Sequence, residues 1–123
     1  MNTALWIVQI LLAVAFVGAG AMKAGQPREK LEGFLPWVAD FSTPVVRFIG
    51  VAEVLGGLGL VLPAATGIAP VLTPVAATAL AVTMVLAAVV HARRREYSSI
   101  GVNVVLLLLA AFVAWGRFGP YAF

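Results

Sequence analysis

Between Val54 and Ala92 the chain carries no Asp, Glu, Lys or Arg. A single straight helix over that stretch would be roughly 58 Å long, about twice the hydrocarbon thickness of a bilayer. The stretch must therefore turn back on itself, and Pro63, Gly67 and Pro70 supply the break. Each arm of such a hairpin is long enough to cross a bilayer. Hydrophobic residues make up 63% of the 123-residue chain and charged residues 11%, against roughly a quarter charged in soluble domains. So few charges cannot coat a soluble domain of this size, and so many apolar residues exclude disorder. Cysteine is absent, which removes disulfides, thiolate metal sites and thiol redox chemistry.

The remaining apolar runs complete the count. Ala4 to Met22 is uncharged, with Gln9 its only strongly polar member. No basic segment precedes it and Lys23 follows directly, so it reads as a span rather than a cleavable signal. Thr43-Pro44 opens the second span, with Thr as N-cap and Pro at the first helical position; Pro63 stops it. Thr73-Pro74 repeats that start signal for the third, and the fourth ends among Trp115, Phe118, Tyr121 and Phe123, which suit a headgroup layer. The expectation is all-α: an integral membrane four-helix bundle forming a single membrane domain over 1–123. Its spans cover about 4–23, 44–62, 71–91 and 99–116, with an interfacial loop over 24–43. That loop holds Phe34, Leu35, Trp37 and Phe41, which are costly to leave in water.

The net charge is +3, but its placement argues against nucleic acid. The basic residues gather in loops between apolar runs instead of covering a folded face. Lys23, Arg28, Lys30, Arg47, Arg93, Arg94 and Arg95 fall on one side of the bundle, and Arg117 alone on the other. The positive-inside rule puts the first and third loops in the cytoplasm and both termini outside, in a cell membrane of bacterial inner-membrane type. Small residues spaced by four (Ala15/Ala19, Gly20/Ala24, Ala52/Gly56) allow close helix approach. They serve a homo-oligomer and contacts within one bundle equally well.

Glu53 is the residue that asks for an explanation, because an ionisable group inside a span is expensive. It lies nine residues beyond Pro44, roughly 13 Å into the helix. Arg47 stands six residues away, roughly 120° around the helix, and so does not face it. A partner must come from another helix. Antiparallel order brings Lys23, Arg47, His91 and Asn103 to the same end, with Glu96 at the rim. We expect one polar cluster of Lys23, Arg47, Glu53, His91 and Asn103, bordered by Glu96. Gln9, roughly 21 Å from Lys23 along the first span, falls outside it. Three roles fit such a cluster. It can fix helix register, form a pocket for a ligand or quinone headgroup, or carry a proton through Glu53. One His and scattered carboxylates fall short of a metal ligand set, and no nucleophile constellation identifies a catalytic residue.

The residues Phe16-x-x-x-Gly20-x-x-Lys23, Arg47-Phe48-Ile49-Gly50-Val51-Ala52-Glu53 and Gly56-Gly57-Leu58-Gly59-Leu60 follow one another in order. Pro63, His91, Glu96 and Asn103 come after them. Together they resemble the DoxX-like family of small four-helix membrane proteins over nearly the whole chain. The resemblance implies mainly architecture. The family takes its name from a membrane subunit associated with a thiosulfate:quinone oxidoreductase, and relatives act as accessory membrane proteins or assembly factors. It implies a small accessory or subunit protein in the lipid bilayer, beside a larger redox or respiratory complex. The alternative it implies is a quinone-interacting oxidoreductase subunit or a small proton-linked carrier using Glu53. Quinone is the one cofactor it suggests, and none is fixed by the residues themselves.

Overall fold

Every long apolar run is helical. The computed structural model describes residues 1–123. Helix α1 spans Asn2–Gly25, α2 Arg28–Phe34, α3 Thr43–Thr66, α4 Leu72–Arg93 and α5 Tyr97–Phe118, with a 3-10 turn at Pro36–Asp40 between α2 and α3. Four of them (α1, α3, α4 and α5) are long and apolar enough to cross a membrane, and the protein is a multi-pass membrane protein. Large side chains such as Leu11, Phe48, Leu86 and Leu108 lie exposed on the outside, where they meet lipid. The centre is filled by Leu12 and Phe16 of α1, Leu60 of α3, Leu80 of α4 and Ala110 and Val113 of α5.

Glycine sets how closely the helices approach. A Cβ on Gly20 would stand 2.5 Å from the Gly50 carbonyl oxygen and 2.8 Å from the Val54 nitrogen. A Cβ on Gly50 would meet the Ala24 nitrogen at 2.6 Å. The backbones of α1 and α3 therefore touch, which is how small residues hold helices together in lipid. Gly57 lies against Ala13 and Val17, so residue numbers fall along α1 as they rise along α3, and the two are antiparallel. Likewise Gly56 packs on Leu80 and Gly59 on Ala76, making α4 antiparallel to α3. Gly116 of α5 receives the fully buried Leu5 of α1 and closes the bundle.

Helix α3 does not stop at Pro63. It runs through that residue to Thr66 and ends at Gly67, whose φ of 73° is left-handed. Proline removes the donor that would bond the carbonyl four residues earlier. That carbonyl belongs to Gly59, and the Thr73 hydroxyl of α4 donates to it at 3.1 Å. The hairpin partner satisfies the break, so the helix continues for another turn. The start signals also work differently in detail. Ser42 is the N-cap residue of α3, and the Thr43 hydroxyl accepts from Arg28 Nη1 at 2.9 Å. Thr73 is already inside α4.

The connection between α1 and α3 folds over one end of the bundle. Leu31, Trp37 and Val38 are buried with Val46 of α3, and Met22, Ile49 and Val90 pack around them. Arg28 pins the fold by donating to the carbonyls of Val38 (3.1 Å) and Phe41 (2.7 Å) and to Glu32 (3.1 Å).

Candidate functional site

The contact between Gly20 and Gly50 decides what lies beside it. Lys23 stands one turn beyond Gly20 on α1, and Glu53 one turn beyond Gly50 on α3. Because the helices are antiparallel, those turns lie on opposite sides of the crossing. Side chains tilt toward the N-terminus of their own helix, which aims the two at each other. Lys23 Nζ donates to Glu53 Oε1 at 2.5 Å, with the side chains 13% and 3% exposed. Trp37 lies against the same ammonium, its ring centroid 5.7 Å away, within the range of a cation–π contact. An ion pair this deep in apolar surroundings is unlike a surface pair. Removing either partner leaves a buried charge without an opposite.

Arg47 does not reach Glu53. Its Nη1 donates to the Lys23 carbonyl at 2.8 Å, satisfying one of the carbonyls that the last turn of α1 leaves open. Arg47 thereby ties the start of α3 to the end of α1. His91 Nδ1 lies 2.9 Å from Glu96 Oε1. Arg94 joins them, with Nε 3.3 Å from Glu96 and Nη1 2.5 Å from Asp40 Oδ2. The loop after α4 is thus latched to the Pro36–Asp40 turn. The hydrogen bond with His91, then the Arg94 guanidinium, holds the Glu96 carboxyl below its ordinary value. Asp40, with Glu96 behind it, raises Arg94. Asn103 is buried on α5. Its Nδ2 makes a 3.7 Å contact with Met84 Sδ, and its Oδ1 has no partner.

Lys23, Glu53, His91 and Asn103 all line one cavity of about 790 Å³, enclosed by α1, α3, α4, α5 and the turn carrying Trp37. Most of its wall is apolar, including Phe16, Ile49 and Leu106. Phe48 and Val102, also on its wall, are exposed, so the cavity reaches the lipid-facing surface. Arg47 and Glu96 stand behind this wall and bond to residues that form it. The volume suits a drug-sized ligand, and an apolar chamber with a few converging polar groups is the usual form of such sites. No three His, Asp or Glu side chains come together as metal ligands do.

The profile of the DoxX-like family matches residues 7–113. The chain belongs to the DoxX-like family. No curated protein and no solved structure matches the chain. In this DoxX-like protein the matched stretch contains every residue of the cavity's polar end, from Lys23 on α1 to Asn103 on α5.

A second polar centre lies at the other end and escapes the sequence analysis. Arg117 of α5 is buried and its Nε donates to Gln9 Oε1 at 2.8 Å. Gln9 in turn donates to the Leu60 carbonyl at 2.8 Å. Gln9 is the only strongly polar residue of its span and Arg117 the only charged side chain at its end of the bundle. Those two facts were the available signal, and joining them required only that α1 and α5 be neighbours.

Proposed function

We propose that this DoxX-like protein is a small accessory subunit of a membrane redox assembly. In this reading it holds a lipid-soluble molecule with an uncharged polar head, of the quinone class, in the cavity beside Lys23 and Glu53. The observation that carries the reading is the combination of an apolar chamber open toward lipid with Asn103 Oδ1 buried and unpartnered in its wall. Buried polar atoms are nearly always bonded, and this oxygen is an acceptor on a residue of the cavity wall, so it calls for a donor such as the hydroxyl of the reduced, quinol form. Lys23 Nζ adds a donor for a ring oxygen, and Phe16, Ile49 and Leu106 suit an apolar ring and tail. The pair Lys23–Glu53 is neutral as a whole, which favours an uncharged head over an ion. The loops bearing Lys23, Arg28 and Arg93–Arg95 lie on the cytoplasmic side in this reading, by the positive-inside rule.

The test is retention of a probe. Protein in mild detergent is loaded with decylubiquinol under reducing conditions, exchanged into probe-free micelles and extracted for chromatographic quantification. We expect about one quinol per chain. Glu53→Gln, which keeps shape and removes the charge, should lower retention by about tenfold, the worth of one hydrogen bond at a buried charged group, and Ala87→Phe, which fills the chamber, should lower it at least as far. Wild-type retention no higher than that of empty micelles would overturn the ligand. Purification that brings down no larger membrane assembly would overturn the accessory role.

A further inference from the structure

Arg117 is 3% exposed, yet no side-chain carboxylate bonds to it. All its hydrogen-bond partners are neutral. Nε takes Gln9 Oε1 at 2.8 Å, and Nη1 takes Asn2 Oδ1 at 2.7 Å and the Tyr121 carbonyl at 2.9 Å. Aromatic rings cover it, Phe123 4.1 Å and Trp6 5.8 Å from the guanidinium carbon. Nη2 is shut from water and bonds to nothing. Asp40, Glu53 and Glu96 belong to the opposite half of the bundle, and Glu29 and Glu32 to α2 beyond it. A buried charge is normally paired, and an arginine fork is shaped to meet oxyanions. Here the fork is oriented from two sides while its last nitrogen and its charge are left over.

Arg117 lies in the wall of a cleft of about 580 Å³ that also includes Asn2, Trp6, Tyr121 and Phe123. It is the penultimate residue of α5, at the depth where Trp115 and Tyr121 mark the edge of the hydrocarbon. Lipid phosphates sit at that level. The Phe123 ring is half exposed and held by ring contacts with Trp6 and Arg117, so it can swing off the fork without unpacking a helix.

We infer that the cleft at Arg117 binds one phosphate oxyanion, of the kind a phospholipid headgroup presents. The site is separate from the cavity at Lys23 and Glu53. Its test is native mass spectrometry of the full chain released from nanodiscs of phosphatidylglycerol. One lipid retained per chain by the wild type is expected. Asn2→Asp keeps the oxygen that accepts from Arg117 and adds a fixed negative charge beside it. Its retention should fall by about tenfold or more, with thermal stability equal or higher. Arg117→Gln should lose the lipid as well, and Asn2→Asp keeps the test decisive should that variant fail to fold. A parallel titration with inorganic phosphate in lipid-free micelles separates the sources. Retained lipid with no phosphate response identifies the headgroup, and saturable phosphate binding without lipid retention identifies a free anion. Asn2→Asp that is more stable while matching the wild type in both arms would make Arg117 a structural cation and overturn the site.

Discussion

Replacing Gly50 by alanine puts the contact between α1 and α3 to a direct test. The added methyl would lie 2.6 Å from both the Ala24 nitrogen and the Gly20 carbonyl oxygen. Ordinary contacts of this kind sit near 3.5 Å, so the helices must part by about 1 Å. Overpacking of that sort costs about 1–3 kcal/mol, while exchanging glycine for alanine in a helix returns about 0.8–1 kcal/mol. Gly18→Ala is the internal control, because nothing lies within 4 Å of its Cβ position. The helix-propensity gain is common to both variants and cancels in the difference. Gly50→Ala should therefore be less stable than Gly18→Ala by about 1–3 kcal/mol, and Gly18→Ala no less stable than the wild type. Titration of mixed micelles with SDS, followed by far-UV circular dichroism, measures both. Equal midpoints for the two variants would mean that the backbones do not touch, and the account of how Lys23 meets Glu53 would fall with that contact.

Two further outcomes follow from the polar residues. Lys23→Met leaves Glu53 buried without an opposite charge and should cost about 3–5 kcal/mol, whereas Lys23→Met with Glu53→Leu should recover most of that loss; the same SDS titration reads the cycle, and additive losses would show that the pair does not interact. The Glu96 carboxyl lies below its ordinary value of 4.5 because His91 and Arg94 bond to it. Its contribution to the latch is therefore present above pH 4.5 and is lost as the pH falls through the lowered value. Amide exchange in residues 36–42, corrected for intrinsic rates, should speed up below that point, and a Glu96→Gln variant with the same acid profile would remove Glu96 from the latch.

Helix number, helix type and antiparallel order were legible because lipid leaves a chain few choices. Runs of about 20 apolar residues must be helices that satisfy their own backbone. What could not be read locally were features set by a neighbouring helix. Pro63 looks like a stop until the Thr73 hydroxyl reaches the carbonyl it frees. Thr43 looks like a cap until Arg28 claims its hydroxyl. The demand of Glu53 for a partner on another helix was visible from its position alone, and so was the poor angle to Arg47. Which residue would answer depended on Gly20 meeting Gly50, a fact of packing. The bond of Arg47 to a backbone carbonyl carries no sequence signature at all. Arg117 and Gln9 stand 108 residues apart, and each looked unremarkable singly, the first as a topology signal and the second as a stray polar residue.

The two polar centres differ in their charge balance, and that difference makes them separable. Glu53 has Lys23, so the cavity's buried charges cancel. Arg117 has only neutral acceptors, so its cleft keeps a positive charge. They lie on different turns of α1, about 21 Å apart from Gln9 to Lys23, with Leu12 and Phe16 packed between them. The Lys23–Glu53 pair is neutral as a whole and presents only a dipole to Arg117 at that distance, and substitutions without shared partners act independently. Glu53→Gln should accordingly lower quinol retention by about tenfold while phosphatidylglycerol retention holds, and Asn2→Asp should do the reverse. Loss of both ligands in either variant would mean that retention reports the integrity of the bundle, and neither centre would then count as a site in its own right.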